Sequence, residues 1–500
     1  MFRRRWSGLP ADPVFGPRLQ DLGYFINDID EIRSIEDSDY YFKYFLTKNT
    51  RWNERQRFVF NNAVTKIIHT RLETAGLTKL PLPLGAPTTG PHVPIFTSTS
   101  LATKSRVVLF FGEPYQALGV LAHRVIGGCG GITRGSALGF VHALCGQQSS
   151  AADASPPGVV LTNPGELWWW PEGGKGLTPL ERHMVPMASA VHYGRYHNPR
   201  VNEVPGQRSV AEHVREVFET VVMGGLVDKE ARVDVIALGS TADDVELYLD
   251  DDAVWAKVGA RLNSLAILGG CHSSSHLRCE GFKRFLEERA RAYVIHHTPL
   301  DTPISGAGGN PGAGTFTSFG CPVYSAGEAQ VTETIFIEAQ PAVLRWIQQV
   351  ALEEEAYKNE VLEIFGEEGN GITSEELDLP WGAPEPETAE AGDQMETNGT
   401  GDGVDNVEGR VQNSNGEPGS DQIKATDNSV EVPKTDIAAK EDTPKAMQAE
   451  ASNDKAAKSD GKPIKSDTNH KPNFSPLEPG LEAKDMVELV AEIEDLKLHH

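Results

Sequence analysis

Apolar positions along the first 350 residues come in short dense runs separated by stretches of helical period. The hairpin-like LGYFINDIDEIRSI, with Asn27 and Asp28 as turn residues, leads into a long helix over about 52–75 that Gly76 ends. The strand RVVLFFGE (106–113) follows, then a helical stretch around 117–125, a glycine-rich loop and a helix over 136–145. VVLTNP reads as a second buried strand. Ser209 and Glu212 have capping-box spacing at the head of a helix that feeds the strand VDVIALG (233–239). A helix over about 243–262, the strand SLAILGG, a charged helix over 280–290 and the strand AYVIHH complete the pattern. Strands apolar on both faces and alternating with helices predict an α/β fold, a mostly parallel sheet with helices on both faces.

The pattern changes after residue 365. Between Gly382 and Gly480 the only aromatic residue is Phe474, and segments such as NGTGDGVDNVEG have no apolar period, so residues 366–480 read as a disordered acidic linker. Within residues 482–498, Met486, Leu489, Val490, Ile493 and Leu496 recur at three- and four-residue spacing, which predicts a short amphipathic docking helix. Charge follows the same division. The 500 residues carry a net charge of −25; positions 366–500 hold 31 Asp and Glu against 12 Lys and Arg, a balance of −19, and the first 365 hold 40 against 34. A pI near 5 argues against a chain that grips nucleic acid directly. Five cysteines are too few, and odd in number, for a secreted disulfide scaffold, and no apolar run is long enough for a signal peptide or a membrane span. A chain that is not exported and has no membrane partner is expected.

Candidate chemistry lies at the strand ends. Ser240 follows the strand at 233–239, but a nucleophile elbow needs small residues two before and two after the nucleophile, and Leu238 occupies the first of these positions. Cys271 is a second candidate; with His272, His276 and Cys279 it also suggests zinc, although four ligands within nine residues are crowded, so no metal is favoured. Gly130, Gly131, Gly135 and Ser136, in VIGGCGGITRGSALG, match no nucleotide motif yet form a possible pocket loop at a helix N-terminus. Asp301, shortly after His296 and His297, occupies a possible strand-end acid position. No catalytic residue is favoured among Ser240, Cys271 and Asp301, and no cofactor is expected.

GYFINDIDEIRSI, YYFKYFLTKNTRWNERQR, VPIFTS, RVVLFFGEPYQALGVLAHRVIGGCGGITRGSALGFV, NPGELWW and PGQRSVAEHVREVFETV together resemble the Argonaute-binding protein-two-like domain, over about residues 22–350. The resemblance implies an α/β-hydrolase-like fold. In fungi it occurs in a subunit that chaperones small RNA onto Argonaute for heterochromatin assembly, and it is also appended to class II histone deacetylases. It implies protein partners of those kinds, a nuclear or cytoplasmic location, and siRNA-directed silencing. Animal relatives look like hydrolases with an elbow serine and a late histidine, whose positions fall on Gly239 and near Val331, with Asp301 as the acid. Two of three triad roles would then be empty, so a non-catalytic binding or scaffold protein is expected, with a serine or cysteine hydrolase of degenerate elbow as the alternative.

Overall fold

The computed structural model describes residues 8–364 except 193, 329 and 330. All of them belong to one compact unit. The 366–480 linker and the 482–498 helix lie outside the described residues.

A small hairpin opens the fold, β1 (Tyr24–Ile26) against β2 (Ile32–Ser34). Its turn is longer than two residues: the Asn27 Oδ1 accepts from the backbone N–H groups of Ile29 and Glu31. Helix α1 (Thr50–Thr74) starts on Asn49, whose side chain accepts from Arg51 N–H, and Gly76 lies just beyond its end at φ +90°. Strands β3 (Leu77–Leu82), β4 (Val93–Ser98) and β5 (Arg106–Phe111) follow. Where a helix is expected around 117–125, the chain turns instead, with Val120 bridging to Ser136 and only a single helical turn, α2 (His123–Ile126). Ala117, Leu118, Val120 and Leu121 still enter the core, so their apolar spacing reports burial without a helix.

The short α3 (Gly131–Gly135) and α4 (Ala137–Leu144) lead to β6 (Gly158–Leu161), to the small hairpin β7 (Trp168–Trp170) and β8 (Lys175–Leu177), and to the single turn α5 (Pro199–Asn202). Helix α6 (Val210–Glu216) begins on Ser209, whose Oγ accepts from Glu212 N–H at 3.2 Å, and widens into a π-helical turn over Val217–Val222. The reciprocal half of the capping box differs from the expectation, since the Glu212 carboxylate accepts from Arg208 N–H. Strand β9 (Arg232–Leu238) then enters α7 (Ser240–Leu249). The single helix expected over 243–262 is two, because Asp251 caps a new helix, α8 (Asp252–Val258), by accepting from the N–H groups of Ala253 and Val254. The unit closes with β10 (Leu262–Leu268), α9 (Glu280–Arg289), β11 (Ala290–Val294), β12 (Pro303–Ser305), β13 (Val323–Ser325) and α10 (Ile335–Glu353).

Nine of these strands form one sheet in the order β12-β13-β11-β10-β9-β5-β6-β4-β3. From β13 to β6 every pairing is parallel, and β12, β4 and β3 add antiparallel edges. Alternate residues of the central strands feed two cores, as the pleat requires. Val108, Phe110, Ile236, Leu238 and Leu268 pack with α1, α4 and α10 on one face. Val107, Leu109, Phe111, Val235 and Ile267 pack with α6, α7 and α9 on the other. At the opposite end from the site described below, Arg106 on β5 donates to Asp234 on β9 at 2.5 Å and to the Ile347 carbonyl at 3.0 Å. Asp234 also accepts from Asn263 and Ser264 on β10. Both members of this ion pair are essentially inaccessible to solvent, so three strands and α10 are tied through one fully partnered network.

Contacts run past residue 350. Trp346 Nε1 donates to Tyr357 Oη at 2.6 Å, and Asn359 Nδ2 donates to the Ala290 carbonyl at 2.7 Å.

Candidate functional site

The central strand β9 ends in a sharp turn into α7, and Gly239 is the residue at that turn. Its φ of +55° and ψ of −141° lie where a side chain is strained, which is the backbone state of a nucleophile elbow. Its N–H donates to the Leu268 carbonyl at 2.8 Å, fixing the turn to the neighbouring strand. The elbow position therefore carries no nucleophile. Ser240 is the first residue of α7 and exposed; the N-cap is Gly239, and the Ser240 hydroxyl has no hydrogen-bond partner among the described residues. Leu238 and Ala242 flank the turn, both buried.

A carboxyl group occupies the place where an elbow side chain would stand. A β-carbon built on Gly239 would lie 2.6 Å from Cδ of Glu113 and closer still to its carboxylate oxygens. Glu113 comes from the turn directly after β5, the strand beside β9. Burial pushes its carboxyl up to about 7, and the nearby negative charge of Glu333 adds to the effect. Glu333 itself lies 3.7 Å from the Arg124 guanidinium. Glu113 also lines a small cleft with Gln116, Leu118, Ala137 and Thr162, in which the space open to the centre of a water molecule is about 10 Å3. That is about one water, so no organic ligand fits this cleft as it stands. The buried Thr162 hydroxyl on its wall has no hydrogen-bond partner among the described residues.

The other two triad roles follow Gly239 in the chain order nucleophile, acid, histidine. Asp301 lies after β11 at φ +68°, and its Oδ2 accepts from Arg345 of α10 at 2.9 Å. Its carboxylate is thus engaged by an arginine. Val331 stands after β13, just before a 3-10 turn at Thr332–Thr334, and an isopropyl group transfers no proton. His296 and His297 sit in the loop after β11 with ring centroids 4.3 Å apart, and His296 Nδ1 is 2.8 Å from Thr298 Oγ1.

Cys271 lies in the loop after β10, where its N–H and that of His272 both donate to Asp243 Oδ1, at 2.8 and 3.0 Å. The thiol is pushed up by partial burial and by the Asp243 charge, which keeps it protonated and disfavours nucleophilic attack. Cys279 is buried at the head of α9, whereas Cys271 is exposed. Among the described residues no group of three or more His, Cys, Asp and Glu side chains is placed to hold a metal ion.

The glycine-rich loop is engaged by the N-terminal hairpin. Asp30 Oδ2 accepts from the backbone N–H and hydroxyl of Thr133 at 2.8 and 2.7 Å, and Asp30 Oδ1 accepts from Arg71 at 2.7 Å. The Gly130 N–H donates to Glu31 at 3.3 Å. Gly131, at φ +73°, passes so close to the Asp30 carbonyl that a β-carbon there would overlap it. Gly135 packs against Ile126, and its carbonyl accepts from Leu121 and Ala122, while Ser136 caps α4 through Leu138 N–H. These groups hold the hairpin to the domain. Sequence reasoning missed Glu113; the available signal was an acidic residue immediately after Gly112, at the end of the most apolar strand.

No curated protein matches the chain. Among solved structures it is similar to a puromycin-hydrolysing peptidase of Mycobacterium tuberculosis (10% identity, 57% of this chain and 42% of that one, TM-score 0.26). It is also similar to a truncated carbohydrate esterase from gut microbiota (6%, 52% and 90%, TM-score 0.23) and to a double mutant of the esterase rPPE (11%, 60% and 89%, TM-score 0.26). The chain spans less than half the length of the peptidase. The α/β-hydrolase-like fold is carried by the parallel sheet and its central elbow. The Arb2 domain matches residues 15–300, more than half of the chain, and the protein therefore belongs to the Arb2 domain family.

Proposed function

We propose that this protein is a non-catalytic, protein-binding member of its family, a hydrolase-like scaffold whose elbow has been filled. One observation carries the reading: the elbow residue is Gly239 and the Glu113 carboxyl stands in its side-chain space. Covalent hydrolysis needs a nucleophile at that point and a base to take its proton; the resemblance puts these roles at Gly239 and near Val331, where glycine and valine stand. The family name supports protein binding, and the resemblance supports Argonaute or a histone deacetylase complex as partners, in siRNA-directed heterochromatin silencing in the nucleus or cytoplasm. No helix among the described residues is long and apolar enough to cross a membrane. Met486, Leu489, Val490, Ile493 and Leu496, outside the described residues, would dock in a groove of a second partner.

Affinity purification of the full chain with mass spectrometry tests this reading. Recovery of Argonaute or a deacetylase, with weaker recovery of a partner once 486–496 is deleted, is the expected result. Recovery of neither, together with ester turnover lost in Ser240→Ala or Cys271→Ala, would establish the hydrolase alternative.

A further inference from the structure

The residues before the matched domain are seated in a charged site of their own. Arg51 and Arg55, on the first two turns of α1, are both buried, with side chains 6% exposed. Between them lies the carboxylate of Asp12. Arg51 Nε donates to Asp12 Oδ1 at 2.6 Å and its Nη2 to Oδ2 at 2.7 Å, a bidentate fork, while Met187 N–H donates to Oδ2 at 3.0 Å. Arg55 Nε approaches Oδ2 at 3.4 Å and makes no hydrogen bond. The remaining donors point at the rim formed by the segment after β8: Arg51 to the carbonyls of His183 and Val185, and Arg55 to that of Met184. Two guanidinium groups thus share one carboxylate. Glu54, the next acidic group, makes no ion pair among the described residues, and burial raises its carboxyl against the opposing pull of Arg51. Burial is also the main cause that brings the Arg55 guanidinium down to about 10, with the Arg51 charge adding to it and Asp12 opposing it.

The occupant is a strap without helix or strand structure, in which Pro13, next to Asp12, is also buried. Pro10 accepts one backbone hydrogen bond, from Ala190, and the Phe15 ring meets the edge of Trp52 at 5.9 Å. Val14 between them is 89% exposed, and Trp52 keeps 43% of its own surface open. Asp12 precedes the stretch matched by the family, whereas Arg51, Arg55 and Trp52 lie inside it.

We propose that the Arg51–Arg55 pair with Trp52 is a recognition site for an acidic peptide segment of a partner protein, a carboxylate followed three residues later by an aromatic ring, which residues 10–15 occupy in cis. Charge complementarity defines the partner: two buried guanidiniums, one of them with an unused donor, favour a segment that brings more negative charge than the strap does. The strap holds the site by being tethered to it, since a linked segment competes at a high effective concentration, and a partner displaces it by offering the second charge. This site is remote in sequence from the elbow and does not depend on the elbow being inactive.

The test uses the full chain and a labelled peptide of sequence GLPADPVFGP, residues 8–17. The double variant Asp12→Asn/Phe15→Ala, which loosens the strap, is expected to bind this peptide at least tenfold more tightly than the unaltered chain. The same peptide with its Asp replaced by Asn is expected to lose at least tenfold. Equal binding by both chains, or binding indifferent to the peptide's Asp, would overturn the proposal, as would no binding by a variant with native circular dichroism. Should the variant not fold, limited proteolysis of the unaltered chain decides: excess peptide speeds cleavage within residues 8–16 if the site exchanges its occupant, and unchanged cleavage refutes exchange.

Discussion

The Glu113 carboxyl lies where the side chain of residue 239 would project, and Gly239 is the residue that lets it lie there. A glycine at an elbow is unremarkable as a turn residue, and a glutamate at a strand end is common in solvent. Together they make a mutually dependent pair. The absence of a β-carbon at 239 opens the space, and the carboxyl fills it at the cost of desolvation that lifts its pKa to about 7.

Gly239→Ser is accordingly expected to yield no esterase and to destabilise the fold. The backbone strain of a side chain at this φ and ψ costs about 1–3 kcal/mol, and overlap with Glu113 adds a penalty of similar size. Glu113→Ala in the same chain removes the overlap but not the strain. Urea denaturation of the two single variants and the double variant should show a favourable coupling of at least about 1 kcal/mol, and additive effects would mean that the two residues do not share the space.

The contribution of Glu113 to stability should fall as pH rises from about 4.5 to about 7. A carboxyl whose pKa is raised in the folded state keeps a proton there that the unfolded chain releases near its ordinary value of 4.5, so its contribution is full below that value and lost through the folded-state value. Glu246 acts in the same direction: it is buried on α7, its Oε2 has no hydrogen-bond partner among the described residues, and burial, with Asp243 second, holds its carboxyl well above the usual range. Glu113→Gln should gain stability relative to the unaltered chain as pH rises from 5 to 7. Glu246→Gln should raise stability at pH 8 relative to pH 5. Both are read from denaturation midpoints across pH, and a profile unchanged by either substitution would contradict the assignments.

Asp234→Ala is expected to cost about 3–5 kcal/mol, since it leaves the Arg106 guanidinium buried without its counter-ion. Asn263 and Ser264 lose an acceptor at the same time. Chemical denaturation measures the loss, and a cost under about 1 kcal/mol would mean that water reaches Arg106.

The parallel sheet was legible because its central strands, such as 106–111 and 233–238, are apolar on both faces, a pattern that only a sheet covered on both sides explains. The elbow was legible as a strand running through Gly239 into a helix. Periodicity failed where burial came without helical geometry, as at residues 117–122, and where one capping aspartate, Asp251, divided a continuous helical period into two helices. The partner of the glycine-rich loop was invisible for a different reason. Asp30 reaches Thr133 across 103 positions of sequence, and no local pattern announces so distant a contact. Glu113 in the space beside Gly239 and Asp12 between Arg51 and Arg55 are likewise products of tertiary packing.

Cys271 should be alkylated slowly by iodoacetamide at pH 7 and faster as pH rises above 9, because burial and Asp243 hold its thiol above the ordinary value. Labelling followed by peptide mass spectrometry compares it with the exposed Cys129 and Cys145 in the same sample. Preferential modification of Cys271 at neutral pH would mark it as an activated thiol and revive the cysteine-hydrolase alternative.

Intact-mass analysis of the full chain after exposure to a fluorophosphonate serine-hydrolase probe tests the filled elbow most directly. No adduct is expected, wild type and Ser240→Ala each giving the same spectrum as its own untreated sample. A stoichiometric adduct that disappears in Ser240→Ala would show that the turn after β9 still presents a working nucleophile, and would contradict the reading of this protein as a non-catalytic binding scaffold.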